Sequence, residues 1–434
     1  MAIEQFPPPI TRAKLVNSTG AYTADVSSSG QVLVRGSLGI ADGANLDAFS
    51  RLRVSTSVGM FDSTFQYDLQ PLLYYQTVAN SGAIAHTPNY SSAKLSTAAV
   101  ASSSAVLQSK QYHRYIPAKS QLVVMTQVFG TAVANIIRRA GYFDANDGIF
   151  LEQNGTSDVA IVQRTSTSGS PSDAARVVQA DWNIDPLNGN GASGITLNLS
   201  KASILVIDLQ WLGMGRVRVG FDINGVIYYA HQFLNANSLT VPYMKTANLP
   251  VRWEASGNGV SDMYATCAAV VSEGGVEFDR GFLFTRSSGS ISAGNGVRTP
   301  IVCIRPAATF NSITNRIQIV PENFAGLVTG NDPVLWEIIY NPTITGGSWV
   351  SEGSSSAVEY NITATSMADG NDTEAFFSPA TASAISSLAG SASPSRLPLT
   401  LDPTGSNPIV LALAATGLGG ASAVRGNMSW RELR

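Results

Sequence analysis

GRVRVGFDINGVIYYAHQF, residues 215–233, consists of two alternating runs joined by Asn224-Gly225. Asn and Gly both accept the positive φ that a two-residue type I′ turn requires, and runs of period two on either side of such a pair predict a β-hairpin. In the first run Val217, Val219 and Phe221 fall on one face, while Arg216, Arg218 and Gly220 fall on the other. One face is therefore core, and the other carries two arginines towards solvent or a neighbour.

The same grammar extends outward. Residues 120–129 (SQLVVMTQVF), 148–152, 159–164, 194–199 and 204–211 are short apolar or alternating runs, each bounded by Gly, Asn, Asp, Ser or Pro. This spacing is that of a sandwich or jelly roll. After Arg286 a Ser and Gly segment, SSGSISAGNG, precedes further strands at 300–305, 313–321, 334–340 and 355–365. Pro408 to Ala415 and Val424 to Arg431 close the chain as an expected edge pairing. Thr131 to Ala140 is the best local helix candidate; the low-complexity stretch 381–394 reads first as a partly ordered connection, with a short helix over Ala382 to Leu388 as the alternative. No repeat of 20 to 50 residues is present, which disfavours propellers and solenoids.

Residues 1–65 read as an extended arm. Pro7 to Pro9 impose a polyproline conformation without backbone donors, and Ser37 to Ala44 has too few bulky side chains for a core. The expected architecture is all-β: the arm, then a jelly-roll-like β-sandwich over residues 66–285, then a smaller C-terminal β region over residues 286–434.

Charged residues make up 13% of the 434 positions, whereas hydrophobic residues make up 44%. The core is ordinary and the charged surface is about half the usual share, which suits a chain packed into an assembly. A net charge of −3 offers no basic field for a phosphate backbone, so direct nucleic-acid binding is not expected. No apolar run is long enough to span a bilayer, and MAIEQFPPPITRAK lacks the apolar region of a signal peptide. Synthesis in a cytoplasm, with no membrane partner, is the expectation.

Five further stretches accompany the arm motif Asn45-Leu-Asp-Ala-Phe-Ser-Arg-Leu-Arg-Val-Ser55: residues 139–155 (RAGYFDANDGIFLEQNG), 179–185 (QADWNID), 211–221 (WLGMGRVRVGF), 250–254 (PVRWE) and 345–349 (TGGSW). Together and in this order they resemble a family of virion structural proteins of tailed bacteriophages, whose arm motif reads N-x-DAFGRLRVS. Here Ser50 replaces the usual Gly. The resemblance implies a largely β particle protein without catalysis, located in the virion and contacting other virion proteins. Tail or neck roles (fibre, adaptor or baseplate) come first, and capsid decoration is the alternative. Within the arm, Phe49, Leu52 and Val54 can bury against another surface, and Asp47, Arg51 and Arg53 can form charge-assisted hydrogen bonds, so these six are the candidate attachment residues. Sheet edges and a low-charge surface need covering, so a homo-oligomer is expected, with a trimer as its form.

The inventory for catalysis is thin. His86, His113 and His231 stand in no metal-ligand spacing, and no nucleophile elbow or phosphate loop is present. No cofactor is expected. Asp144-Ala-Asn-Asp-Gly148 with Glu152 brings oxygen ligands together, but Gly148 falls where a calcium loop needs a third ligand; a turn closed by Asn146 and Asp147, with Gly148 at positive φ, is the simpler reading. Cys267 and Cys303 read as buried thiols. Tyr74, Tyr75, Tyr112 and Tyr115, with Trp182, Trp211 and Trp253, could read a host-surface glycan, although their apolar settings suit a core better. A polysaccharide-binding or depolymerising protein is thus the competing functional class.

Overall fold

The computed structural model describes residues 56–275, 280–380 and 397–434, together with the backbone of Asp25–Val26, Val32–Leu33 and Ile385–Leu388. Residues 1–55 form a unit of their own, in which Asp25 pairs with Leu33 and Val26 with Val32. Apart from 3₁₀ turns at Pro88–Tyr90 and Gln179–Asp181, every regular element among the described residues is a strand.

The first sandwich contains β1 (Val58–Thr64), β2 (Tyr74–Ala79), β3 (Ala83–Thr87), β4 (Ser92–Thr97), β5 (Ser103–Ser109), β6 (Gln121–Val128), β7 (Ile136–Phe143) and β8 (Gly148–Asn154). It continues with β9 (Asp158–Thr165), β10 (Ser172–Val178), β11 (Ser203–Leu209), β12 (Val217–Ile223), β13 (Val226–Phe233), β14 (Val251–Gly257) and β15 (Ser261–Ser272). A 7-stranded sheet runs β10-β9-β8-β7-β14-β5-β2, and an 8-stranded sheet runs β13-β12-β11-β6-β15-β4-β3, with β1 also on β15. Long β15 pairs with β4 through Ser261 to Ala265 and with β1 through Cys267 to Ser272, so those two strands share one of its edges. Tyr142, Leu151, Ile161 and Trp253 from one sheet meet Val123, Met125, Ile207 and Phe221 from the other in a single buried cluster.

The hairpin forms as its sequence predicts. Asn224 and Gly225 have φ of 56° and 84°, and Val217, Val219 and Phe221 are buried. Asp222 Oδ1 accepts a hydrogen bond from the Gly225 amide at 2.9 Å, which fixes the turn. A bulge between Val219 and Gly220 then shifts the register against β13.

The second sandwich contains β16 (Phe282–Ser287), β17 (Ile291–Ala293), β18 (Thr299–Pro306), β19 (Gln318–Val328), β20 (Val334–Tyr340) and β21 (Val350–Ser351). It ends with β22 (Val358–Asn361), β23 (Asn371–Ser378), β24 (Ile385–Leu388), β25 (Leu411–Gly417) and β26 (Ser422–Leu433). Its 5-stranded sheet runs β16-β26-β19-β24 with β17 on β26, and its 6-stranded sheet runs β21-β22-β18-β25-β20-β23. Ile301, Trp336, Leu413, Val424 and Trp430 anchor the core between them. Gly326 of β19 is required there, since a Cβ would stand 2.4 Å from the Trp336 indole.

Several sequence expectations are corrected. Val58–Thr64, assigned to the arm, is a strand that places Phe61 in the first core, and Phe282–Ser287 belongs to the second sandwich. Residues 194–199 form no strand; Leu197 instead donates its amide to Leu187 O within a long connection. The helix candidate 131–140 gives way to β7, because Ile136 and the following residues alternate inward and outward in the sheet. Ile385–Leu388 is a strand paired with Phe324 to Leu327, not a helix. The two closing runs do not pair with each other: β25 lies between β18 and β20, and β26 between β16 and β19, in opposite sheets.

Candidate functional site

The outward face of the 7-stranded sheet concentrates charge. Register places Arg139 directly across from Glu152 on one side and Glu254 on the other. Its Nε lies 2.7 Å from Glu152 and its Nη1 3.2 Å from Glu254. Arg176 reaches the other oxygen of Glu152 at 2.8 Å, and Arg252 reaches Glu254 at 2.6 Å. Arg164 forms a two-pronged pair with Asp173 at 2.7 and 2.8 Å. Phe143 and Phe150 lie in the same layer, with Arg139 and Arg164 over the Phe150 ring at 5.4 and 5.0 Å and Arg252 over Phe143 at 5.3 Å. Guanidinium planes thus cover two large rings that would otherwise face water.

This geometry sets the protonation states. Burial pushes the Glu254 carboxyl up, but the Arg252 and Arg139 charges outweigh it and hold the group below the usual carboxylate range. The hydrogen bonds from Arg164 likewise hold Asp173 low. A general acid needs the opposite shift, so Glu254 is built as a permanent anion. The second sandwich repeats the device: Arg286 pairs with Glu352 at 2.7 Å over the Tyr360 ring at 4.0 Å, and Arg305 pairs with Glu359 at 2.8 Å over Trp349 at 4.2 Å.

A basin opens on the outward face of the 8-stranded sheet, where β6, β11 and β12 come together. It measures about 360 Å³ and is lined by Lys119, Ser120, Asp208, Gln210, Arg216 and Arg218, among others. Asp208 is its anchor, accepting from Ser120 Oγ at 2.8 Å, Arg218 Nε at 2.9 Å and the Tyr229 hydroxyl at 3.2 Å. Arg218 also lies over the Tyr229 ring at 4.2 Å. Burial and the Asp208 charge push the Tyr229 phenol up to about 12, so it remains a donor at neutral pH. Arg216, also in the lining, is exposed.

The other sequence candidates fall elsewhere. Asp47, Phe49, Arg51, Leu52, Arg53 and Val54 lie outside the described residues. Asp144 to Gly148 is a turn: Asp144 Oδ1 accepts from the Asn146 and Asp147 amides at 2.7 and 3.0 Å, and Gly148 has φ of 143°. Among the described residues, no cluster of three or more His, Cys, Asp or Glu is placed to hold a metal ion. Burial pushes His113 down to about 3, and its ring meets Phe61 edge-on at 4.8 Å. His231 accepts from the Asn183 amide, and His86 is bonded to Phe65 O. Tyr74, Tyr112, Tyr115, Trp182 and Trp253 are buried, so they serve packing. Both cysteines are free: Cys303 is buried and its thiol is pushed up to about 12, whereas Cys267 is only half-buried.

Sequence reasoning missed both charged arrangements. Arg218 and Tyr229 could have been found, since the type I′ turn fixes the hairpin register near its tip. Arg139 with Glu254 could not, because nothing local links those two strands.

No family model matches the chain, and no curated protein matches it. Solved structures that are similar include the endo-β-1,4-glucuronan lyase of the fungus Trichoderma reesei, at 10% identity over 49% of this chain and 95% of that one, with a TM-score of 0.34. The CBM2 module of the evolved Dit protein of Lactobacillus casei BL23 phage J-1 is 12% identical over 52% of this chain and 100% of that one, with a TM-score of 0.32. The Bacillus licheniformis β-glucanase is 12% identical over 50% and 98%, again with a TM-score of 0.32. Among the described residues, no helix is long and apolar enough to cross a membrane.

Proposed function

We propose that the chain is a non-enzymatic structural subunit of a tailed-phage particle, carried at the tail or neck and attached through its N-terminal arm. The observation that carries this reading is the bridging of Glu152 and Glu254 by Arg139. The paired acids that a sheet-based hydrolase would expose are here spent on holding neighbouring strands and covering aromatic rings. Two of the stretches that resemble the virion family supply this network, Arg139 and Glu152 from one and Arg252 and Glu254 from another. A chain with 13% charge that commits many of those charges to internal pairs leaves a surface rich in hydroxyls, amides and apolar groups, which suits contact with neighbours.

Two measurements test the reading. Mass spectrometry of gradient-purified particles should find the chain at a constant ratio to the other virion proteins. Incubation with host polysaccharide should release no new reducing ends; steady turnover, abolished by Glu254→Gln, would make the chain a depolymerase.

A further inference from the structure

We propose that the basin on the 8-stranded sheet binds a sugar acid, a hexuronate residue within an oligosaccharide. The basin brings three basic side chains, Lys119, Arg216 and Arg218, against two carboxylates, Asp208 and Glu273. Asp208 and Arg218 satisfy each other, with Ser120 and Tyr229 completing the carboxylate's shell. Among the described residues, no carboxylate is paired with the exposed Arg216 guanidinium, so the basin keeps one cation for an incoming anion. A guanidinium fork matches a planar carboxylate through two parallel hydrogen bonds.

The rest of the lining selects for a sugar rather than a bare ion. Gln210 presents an amide with both donor and acceptor atoms. A bare carboxylate has no use for acceptors, whereas ring hydroxyls use donors and acceptors together. The volume, about 360 Å³, lies within the range of small-molecule sites. The floor of the basin is preorganised: Arg218 is held by Asp208 and by the Tyr229 ring, so that part of the lining need not be ordered on binding.

Calorimetric titration of the full chain with trigalacturonic acid tests this. Binding at millimolar sugar or better is expected, weakened about tenfold or more by Arg216→Ala and less by Arg216→Lys, which keeps the charge and loses the fork. Arg216 is exposed, and near-UV circular dichroism of the variants checks that they remain folded. The proposal is overturned if the methyl-esterified trisaccharide binds equally well, if Arg216→Ala binds like the parent chain, or if no binding is seen. Inorganic phosphate binding as tightly as the sugar acid would likewise overturn it, leaving a site for any anion. The titration uses the isolated chain, so its failure would leave the particle assignment standing, and absence from particles would leave the site standing.

Discussion

The guanidinium of Arg316, in the second sandwich, lies 4.1 Å from the ring centre of Tyr112, in the first. The same group donates to the carbonyls of Leu401, Asp402 and Pro403, while the Tyr112 hydroxyl donates to Asp144. One side chain thus fastens a loop of its own sandwich and clasps the other. Arg316→Ala removes every one of these contacts and should destabilise the second sandwich by about 2–4 kcal/mol. Scanning calorimetry should show its transition moving down while that of the first sandwich stays. A single unshifted transition would mean that the clasp contributes nothing.

The two faces of the hairpin should respond differently. Phe221 is 1% exposed and stacks near Trp182, so Phe221→Ala should cost about 3–5 kcal/mol. Arg218 faces outward, where the sequence alone predicts little effect, but Arg218→Ala leaves the carboxylate of Asp208 without its ion-pair partner. Because the pair is partly solvated, its loss should cost only about 1 kcal/mol. Denaturant midpoints compare the two, and equal losses would mean that the faces are misassigned.

Acid should loosen the first sandwich from its charged face. Glu254 and Asp173 have folded-state values depressed below their ordinary 4.5 and 3.8. A depressed carboxyl contributes stability that is complete above the unfolded value and is lost as pH falls through the folded one, since the unfolded chain takes up the proton first. Urea midpoints should therefore hold steady at neutral pH and fall progressively below about pH 4.5. Glu254→Gln should lower stability at neutral pH and flatten that acid slope; an unchanged slope would remove Glu254 from the account.

Assembly through the arm makes a further prediction. Deleting residues 1–55 should leave both sandwiches folded, because the strands of both lie within Thr56–Arg434. Light scattering should report a trimer for the full chain and a smaller species for the truncated one. Retained assembly after truncation would place the contacts on the sandwiches themselves.

What the sequence revealed follows the range of the interactions involved. The Asn224-Gly225 turn, the inward Val217, Val219 and Phe221, and the Asp144 to Gly148 turn were legible because each is fixed within a few residues. The placement of β25 and β26 in opposite sheets was not, since alternation identifies strands and says nothing of their partners. Val58–Thr64 was hidden for a related reason: its inward positions include Ser63, so its apolar alternation is broken. Tyr112 and Tyr115 sat in a polar-looking stretch, and their burial comes from contacts with distant segments, including Arg316 and Trp211. The Arg139 network and the basin each require register between strands far apart in the chain, which composition and local pattern do not encode.

The most direct test of the central claim is an electron cryomicroscopy reconstruction of the intact particle at a resolution that separates strands. Two sandwiches per subunit, repeated with the symmetry of the tail or neck and joined to their neighbours through residues 1–55, are the predicted density. A particle of full composition and infectivity with no density for the two sandwiches would contradict it.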